Sequence, residues 1–352
     1  MHSPRRQVAP RRILIGVLGL LVMLAAAHTG LWWFATTRLM DAFANWQAQC
    51  RAAGWTVSAG QPARAGWPLA AAIDLPDIQL SGGESDLPGG LSWRAARAEV
   101  SLALLQPRLL SVRLAGEQRL RLSELPPFAF TATEFELTAP LASTPVASAG
   151  LAASGLRVSL PTGPLDVATL AAEGTLRPDA GKAEDAMTLT GSAEAIGVPP
   201  APDGRPWPLG PRLASVSFDA ALSGPLPSAP DLTTRATAWR DDGGRLVVHR
   251  LALGWGPLGL SGSATMALDE HMQPTTAATV RLVGYDATLD ALASAGAITQ
   301  HAALAAKAVL ALLARRPDGG GAPTVELPLT LEDGTLSAGR FPLLRLPRFV
   351  WP

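Results

Sequence analysis

The sequence predicts a mainly β protein: an N-terminal transmembrane helix, then an elongated, curved antiparallel β-sheet or two-sheet groove with a C-terminal helical segment packed on it. Three observations predict this class. A long uncharged apolar run lies near the N-terminus. Short apolar runs follow, separated by many of the 34 glycines and 31 prolines. The composition, 48% hydrophobic and 16% charged, excludes a disordered chain, which would be poor in apolar side chains.

The charge balance argues against one class of partner. Basic and acidic side chains number 29 each, so the net charge is zero. A nucleic-acid-binding domain needs a clustered excess of Lys and Arg to neutralise phosphates. We therefore expect no nucleic-acid partner.

The first element is a membrane anchor. No formal charge lies between Ile13 and Phe34, and a helix of this length is roughly 33 Å long, close to the thickness of a bilayer core. Four basic residues precede it, and the positive-inside rule keeps them in the cytoplasm while the rest is exported. These orientation charges are Arg5, Arg6, Arg11 and Arg12, and the apolar anchor positions are Ile13, Leu14, Ile15, Val17, Leu18, Leu20, Leu21, Val22, Leu24, Leu31, Trp32, Trp33 and Phe34.

A cleaved secretory signal is the alternative for this segment. Ala25, Ala26 and Ala27 resemble a small-residue cleavage site. The apolar run nevertheless continues to Phe34, which is longer than the apolar part of a signal peptide. An uncleaved anchor is therefore favoured, and either interpretation exports the bulk of the chain.

The chain divides into four predicted segments. Residues 1–12 form a basic cytoplasmic tail and residues 13–34 the anchor. Residues 35–53 continue as an amphipathic helix, because Leu39, Phe43, Trp46 and Cys50 recur at helical spacing before Gly54. Residues 54–352 form the exported β-rich domain. Its Pro-rich connections are also consistent with a division of this domain into two halves, 54–198 and 212–352.

Alternation and β-branched content predict strands along the exported part. The predicted strands are 70–80, 98–105, 109–122, 128–137, 156–160, 213–222, 233–240, 245–253, 276–283 and a closing hairpin over 325–338. Asp241-Asp242-Gly243-Gly244 and Asp333-Gly334 are typical hairpin turns. Successive hairpins predict an antiparallel meander.

One exported region has helical periodicity. Residues 289–316 are predicted to form two helices broken near Gly296, and the second carries an apolar stripe at Ile298, Ala302, Ala305, Val309 and Leu312.

Motifs for chemistry are missing, so we expect no enzyme, no catalytic residue, no cofactor and no metal site. The five histidines have no metal-type spacing, and no nucleophile motif is present. Gly254-Trp255-Gly256-Pro257-Leu258-Gly259 matches the letters of a dinucleotide loop. The following residues alternate as a strand does, where the cofactor needs a helix N-terminus, so this segment is interpreted as a turn.

A series of weak motifs occurs in order along the chain. They are Arg51-Ala52-Ala53-Gly54-Trp55, Gly66-Trp67-Pro68-Leu69, Leu91-Ser92-Trp93, the tract from Leu251 to Asp269, Glu332-Asp333-Gly334-Thr335-Leu336 and Pro342-Leu343-Leu344-Arg345-Leu346-Pro347. With the anchor, this order resembles an uncharacterised bacterial family of unknown function. The resemblance implies a single-pass location in the bacterial inner membrane, with the bulk of the chain in the periplasm.

The tract from Leu251 to Val283 and the closing hairpin also resemble pieces of the AsmA-like envelope proteins. That resemblance implies curved β-sheets enclosing an apolar groove and a role in lipid handling, although this chain is far shorter than the members that could bridge two membranes.

The sequence thus predicts a membrane-tethered periplasmic β-groove that binds or passes lipid or another hydrophobic ligand in envelope maintenance. Its expected partners are the lipid bilayer and an acyl-chain ligand. One alternative is a non-catalytic structural or adaptor protein with a fully packed β core and envelope protein partners. A third hypothesis, a periplasmic hydrolase, requires a cleft in which a nucleophile or a pair of carboxylates converges.

Overall fold

The computed structural model describes residues 10–83, 90–103, 107–123, 125–141, 147–201, 203–227, 231–316 and 321–351. Its helices are α1 (Pro10–Ala52), α2 (Leu232–Asp241), α3 (Tyr285–Ser294) and α4 (Gln300–Leu313).

All strands of the described residues belong to one 17-stranded antiparallel sheet. They are β1 (Thr56–Ser58), β2 (Ala63–Ala65), β3 (Ala70–Gly82), β4 (Leu91–Ala103), β5 (Leu109–Leu122), β6 (Phe128–Thr131), β7 (Glu134–Pro140), β8 (Ser148–Leu160), β9 (Gly163–Leu176), β10 (Asp185–Gly197), β11 (Arg212–Ser223), β12 (Arg245–Trp255), β13 (Leu258–Leu268), β14 (Pro274–Val283), β15 (Thr324–Glu332), β16 (Thr335–Ala338) and β17 (Phe341–Arg345). The mainly β class is confirmed, and of the two predicted arrangements the single sheet is the one observed.

The sheet is a meander. From β8 onward each strand pairs with the next one in the chain, up to β17. Earlier, β1 and β2 both pair with β3, and β6 and β7 lie end to end between β5 and β8. Because β10 pairs with β11 along its length, the sheet is continuous across the connection that separates residues 54–198 from 212–352.

Most predicted strands are confirmed. The strand predicted at 109–122 coincides with β5, and the closing hairpin is β15 and β16. The predictions at 70–80, 156–160, 213–222, 245–253 and 276–283 lie within β3, β8, β11, β12 and β14, and 98–105 overlaps β4, with its last two residues outside the described ones. The single strand predicted at 128–137 is observed as two strands, β6 and β7. β9 and β10 were not predicted, because Ala, Gly and Thr mark alternation poorly.

The strand predicted at 233–240 is wrong, since these residues lie in helix α2. Asp231 caps this helix, and its carboxylate accepts hydrogen bonds from the Thr234 backbone N–H at 2.7 Å and from the Thr234 hydroxyl at 2.8 Å. The predicted hairpin turn at 241–244 is accordingly the end of α2, where Gly243 has φ +80 and its N–H donates to the Arg240 carbonyl at 2.8 Å.

The two predicted C-terminal helices are confirmed as α3 and α4, with Gly296 at φ +71 between them. Lys307 of α4 joins them through ion pairs with Asp286 at 2.9 Å and Asp290 at 2.7 Å. The hydrogen bond from Lys307 to Asp290 is the main cause that raises the pKa of the ammonium group. The hydrogen bond to Asp286 raises this pKa as well. α3 packs on β13 and α4 on β15.

Helix α1 is continuous through the predicted anchor and the amphipathic segment. It ends at Ala52, and Gly54 follows at φ +81, while the Trp55 N–H donates to the Cys50 carbonyl at 2.8 Å. The C-terminal half of α1 packs on the beginning of the sheet, where Leu39 is buried with Ile73 and Leu75 of β3.

Candidate functional site

The strand register produces a row of apolar residues that crosses twelve strands on one face of the sheet. We call this face the apolar face. Its central row is Ile73, Val100, Val112, Leu137, Leu151, Ala172, Gly191, Phe218, Leu251, Gly262, Val280 and Leu327, each paired with the next. Side chains of directly paired residues lie on the same face, so the row is continuous.

Two flanking rows have the same character. One contains Ala71, Leu102, Leu110 and Ala139, and resumes as Gly174, Leu189, Ala220, Val248, Ala264, Ala278 and Leu329. The other contains Phe135, Ala153, Leu170, Ala193, Val216, Leu253, Leu260, Leu282 and Val325. These three rows contain no charged side chain.

The opposite face is polar. One of its rows starts with Asp74, Glu99, Arg113 and Glu136 and ends with Ser261, Arg281 and Glu326. Ion pairs lie along it, such as Arg97 with Asp74 at 2.6 Å and Arg113 with Glu136 at 3.3 Å. A sheet that separates its side chains in this way has one face suited to water and one suited to an apolar environment.

The electrostatics of the polar face are those of exposed pairs. Arg157 donates two hydrogen bonds to Asp166, at 2.6 and 3.2 Å, which hold the pKa of that carboxyl below its ordinary 3.8. The pair is therefore ionised at neutral pH, and its contribution to stability is lost only as the pH falls through the lowered pKa of Asp166. Because both side chains are exposed, we expect a small contribution.

A register irregularity keeps apolar side chains on the same face across a break in the sheet. The pairs Ser154 with Thr169 and Leu156 with Val167 are separated by one skipped residue on each strand. One of the skipped residues, Gly155, has φ +57. Skipping one residue on both strands reverses the alternation, which brings Val167, a buried residue, to the apolar side.

The same break continues on β10. Ladder pairs with β9 skip Ala195, which has φ +49, a left-handed conformation that is rare for alanine. Ile196 follows it and pairs with Val167. The break therefore crosses neighbouring strands as a line.

The apolar face is covered at its two ends and least covered between them. α1 buries its first strands, around Leu39. At the other end Val325 of β15, the strand on which α4 packs, is fully buried. In between, Leu189 is 37% exposed and Leu251 is 42% exposed. The middle strands thus present apolar side chains that are not fully buried by the described residues.

Small residues shape this middle region. Gly191 of β10 lies directly opposite Phe218 of β11, and a Cβ added at Gly191 would be 2.5 Å from Cε1 of the Phe218 ring. The phenyl ring thus occupies the space of a side chain at Gly191. Ala172 and Gly174 on β9 leave a similarly low surface, because their side chains are small or missing.

One polar side chain interrupts the apolar side near α1. Gln118 of β5 is 1% exposed and pairs with Ala95 and Phe130 on its neighbouring strands. Neither atom of its amide group has a hydrogen-bond partner among the described residues. An unpaired buried amide destabilises the folded state, so its presence here is not explained by packing.

A cavity lined by the polar face is a different feature. Its volume is about 750 Å³, and side chains of the polar face line it, among them Glu136, Glu173, Asp219 and Arg250. This cavity is therefore not an apolar groove. Within the described part of the chain, no cluster of three His, Cys, Asp or Glu side chains could hold a metal ion.

The predicted anchor residues all lie on α1. Among the described residues, this helix is the one that is long and apolar enough to cross a membrane, and it contains an 18-residue stretch with a mean hydropathy of 2.1. Most of them are exposed, while Trp32 is half-buried against the sheet. Arg11 and Arg12 are in the first turns of α1, whereas Arg5 and Arg6 are outside the described residues.

The segment from Gly254 to Gly259 joins β12 to β13 as a turn, as interpreted from the sequence.

The sequence predicted an apolar groove but did not identify the residues of the apolar face, which come together only when the strands are in register. Each strand alone shows only short alternation of Ala, Gly, Leu and Val.

No curated protein and no solved structure matches the chain. A family model, described as an uncharacterized protein conserved in bacteria (DUF2125), matches residues 32–347, from the end of the anchor through β17. The chain therefore belongs to the DUF2125 family of uncharacterised bacterial proteins.

Proposed function

We propose that the protein is anchored in the bacterial inner membrane by α1 and holds its sheet in the periplasm. The length and hydropathy of α1 support a single pass. The four arginines before Ile13 support an N-terminus in the cytoplasm. The sheet would then stand at the outer surface of the bilayer.

We further propose that the apolar face binds the acyl chain of a lipid, or another long hydrophobe, and passes it along the envelope without bond chemistry. The observation that carries this proposal is the uncharged apolar surface across twelve strands, which begins beneath the membrane anchor itself. Beyond the strands that α1 covers, a lipid that leaves the bilayer would meet the partly exposed apolar side chains of the middle strands. The resemblance to AsmA-like envelope proteins belongs to this proposal and supports it.

The proposed mechanism is passive. Each methylene group buried on the apolar face contributes about 0.8 kcal/mol, and Ala172 and Gly174 of β9 leave space above the backbone for a chain. The polar face keeps the opposite side of the sheet in water. Because the rows contain no charge, an acyl chain can shift along them without breaking an ion pair.

Neighbouring residues on opposite faces allow a matched test. A photoreactive benzophenone amino acid is placed at Leu251 or Leu189 on the apolar face, and at Arg250 or Thr190 on the polar face. After irradiation in intact cells with radiolabelled phospholipid, we expect lipid adducts from the first pair and only background from the second. Equal adduct yields at Leu251 and Arg250, or no adduct at all, would contradict the proposal.

A second candidate function is an envelope adaptor that binds a protein partner. The observation that favours it is β17, an edge strand whose five residues are all exposed, including the apolar Phe341, Leu343 and Leu344. An exposed apolar edge is a template for strand addition. The same photoreactive residue at Leu343 distinguishes the two functions, because an adaptor would give protein adducts there in place of lipid adducts at Leu251.

A further inference from the structure

The contact between helix α1 and the β-strand region begins before the end of the apolar run of the helix. Every side chain from Leu14 to Ala27 is exposed, and side chains turned toward the protein begin at His28 and recur at Trp32 and Thr36. The uncovered part is about 21 Å long at about 1.5 Å per residue, whereas a bilayer core is about 30 Å thick. The last third of the membrane thickness therefore falls on His28–Phe34, where the helix has a protein neighbour.

That neighbour is the turn between β2 and β3, formed by Gly66–Leu69. His28 donates a hydrogen bond from Nε2 to the Pro68 carbonyl at 2.6 Å, and Trp32 donates from Nε1 to the Ala65 carbonyl at 3.1 Å. Unpaired backbone groups are costly in lipid. The Pro68 carbonyl of the turn and the Ala65 carbonyl at the end of β2 are thus paired by side chains of α1.

The turn is closed internally as well. The Ala70 N–H donates to the Gly66 carbonyl at 2.9 Å. Gly66 has φ +84, and a Cβ added there would be 2.6 Å from the Ala70 carbonyl oxygen, so the turn requires glycine. This further reduces the number of backbone groups that need water.

The surface of the turn is apolar. No charged residue occurs between Ala65 and Ile73. Trp67 is 58% exposed and Leu69 is 81% exposed. Two large apolar side chains at a loop tip are unfavourable in water and favourable at a membrane, where tryptophan is enriched at the interface.

Positive charges lie farther along α1 from the N-terminal end of the apolar run than the turn does. The Arg64 guanidinium stacks on the Trp33 ring at 3.9 Å and donates to the Thr37 hydroxyl at 3.3 Å, and Arg38 lies over the Phe34 ring at 5.1 Å. His28 precedes Trp33 by about 7.5 Å along the helix. Guanidinium groups at the level of Trp33 can bind lipid phosphates while the turn lies deeper.

We propose that the β2–β3 turn is a second membrane-embedded element: Trp67 and Leu69 insert into the outer leaflet beside α1, with Arg64 at the headgroup level. The ligand of this surface is the lipid bilayer. Helix and hairpin together hold the first strands, and so the start of the apolar face, against the membrane. This inference rests on the proposed membrane span of α1 and does not depend on lipid binding by the sheet.

The test uses the full chain in phosphatidylcholine nanodiscs, with Cys50→Ala removing the native cysteine. Leu69→Cys, Leu31→Cys and Glu270→Cys are each labelled with the fluorophore NBD, and quenching by doxyl-labelled phosphatidylcholine is measured. Leu31 reports the anchor, and Glu270, in the exposed turn between β13 and β14, reports a site away from the membrane. We expect quenching at Leu69→Cys within about twofold of Leu31→Cys and about fivefold or more above Glu270→Cys.

Trp67→Cys gives an independent second reading of the same turn. If Leu69→Cys and Trp67→Cys are quenched no more than Glu270→Cys while Leu31→Cys is quenched, the anchor is embedded and the proposed insertion of the turn is wrong. If Leu31→Cys is also unquenched, the membrane span itself fails, and this inference fails with it. Lipid adducts at Leu251 are read separately, so either proposal can fail alone.

Discussion

Single residues determine where the sheet changes its alternation. Gly155 and Ala195 are skipped by their ladders at positive φ. At Gly155 there is no Cβ, and an added one would clash with the Thr133 side chain. Ala195 adopts a similar conformation with a Cβ present, which is unfavourable for an L-residue by about 1–2 kcal/mol.

Replacing Ala195 by glycine tests this local strain. We expect Ala195→Gly to be stabilising by about 0.5 kcal/mol, because relief of the left-handed conformation exceeds the added entropy of the unfolded chain. The control is Ala193→Gly in the regular part of β10, which we expect to be destabilising by about 1 kcal/mol. Denaturant midpoints of the purified protein in detergent measure both. Equal losses for the two variants would show that Ala195 carries no strain.

At the scale of elements, α1 is one helix with two environments. Its side chains from Leu14 to Ala27 are exposed, whereas Leu39 lies in the hydrophobic cluster with Ile73 and Leu75. The same residue type therefore has different roles along one helix. Leu31 is 57% exposed, while Leu39 is 8% exposed.

Alanine substitution at these two leucines separates the two environments. We expect Leu39→Ala to destabilise the docking of α1 on the sheet by about 2–4 kcal/mol, since it removes a buried side chain and leaves a cavity. Leu31→Ala loses only contact with lipid, so we expect protease resistance of the sheet in nanodiscs to be nearly unchanged. Limited proteolysis followed over time measures both variants. Similar protection of the two would mean that the sheet does not depend on α1.

At the scale of the whole molecule, the chain is polarised along its length. Basic residues precede the apolar run of α1, and the family match runs from the end of this run through the sheet. The two faces of the sheet add a second polarity, charged on one side and apolar on the other. The proposed function therefore depends on which side of the membrane the sheet occupies.

Orientation is tested by a C-terminal alkaline phosphatase fusion, which is active only after export. We expect high activity for the native sequence, and a large loss when Arg5, Arg6, Arg11 and Arg12 are all changed to Asn, because the positive-inside signal is removed. The matched control is Arg38→Asn on the far side of the anchor, which should leave export intact. An inactive fusion of the native sequence would overturn the proposed orientation.

Local sequence signals predicted much of this fold. The apolar run, the Asp-Gly turn at Asp333 and the alternation of β5 each identified their elements, because these signals act over a few residues. The prediction failed at α2, where β-branched Thr residues favoured a strand and the Asp231 cap favours a helix. β9 and β10 were missed because their alternating residues are largely Ala, Gly and Thr.

The sequence by itself determined the anchor, its expected orientation and a meander of antiparallel strands. Only the tertiary structure decided that alternate residues of twelve strands meet as one apolar face, and that the turn at Trp67 docks beside His28. The physical reason is that register and docking join residues far apart in the chain. Each Ala or Gly contributes too little burial to mark its own face, and the pattern exists only when the strands are aligned.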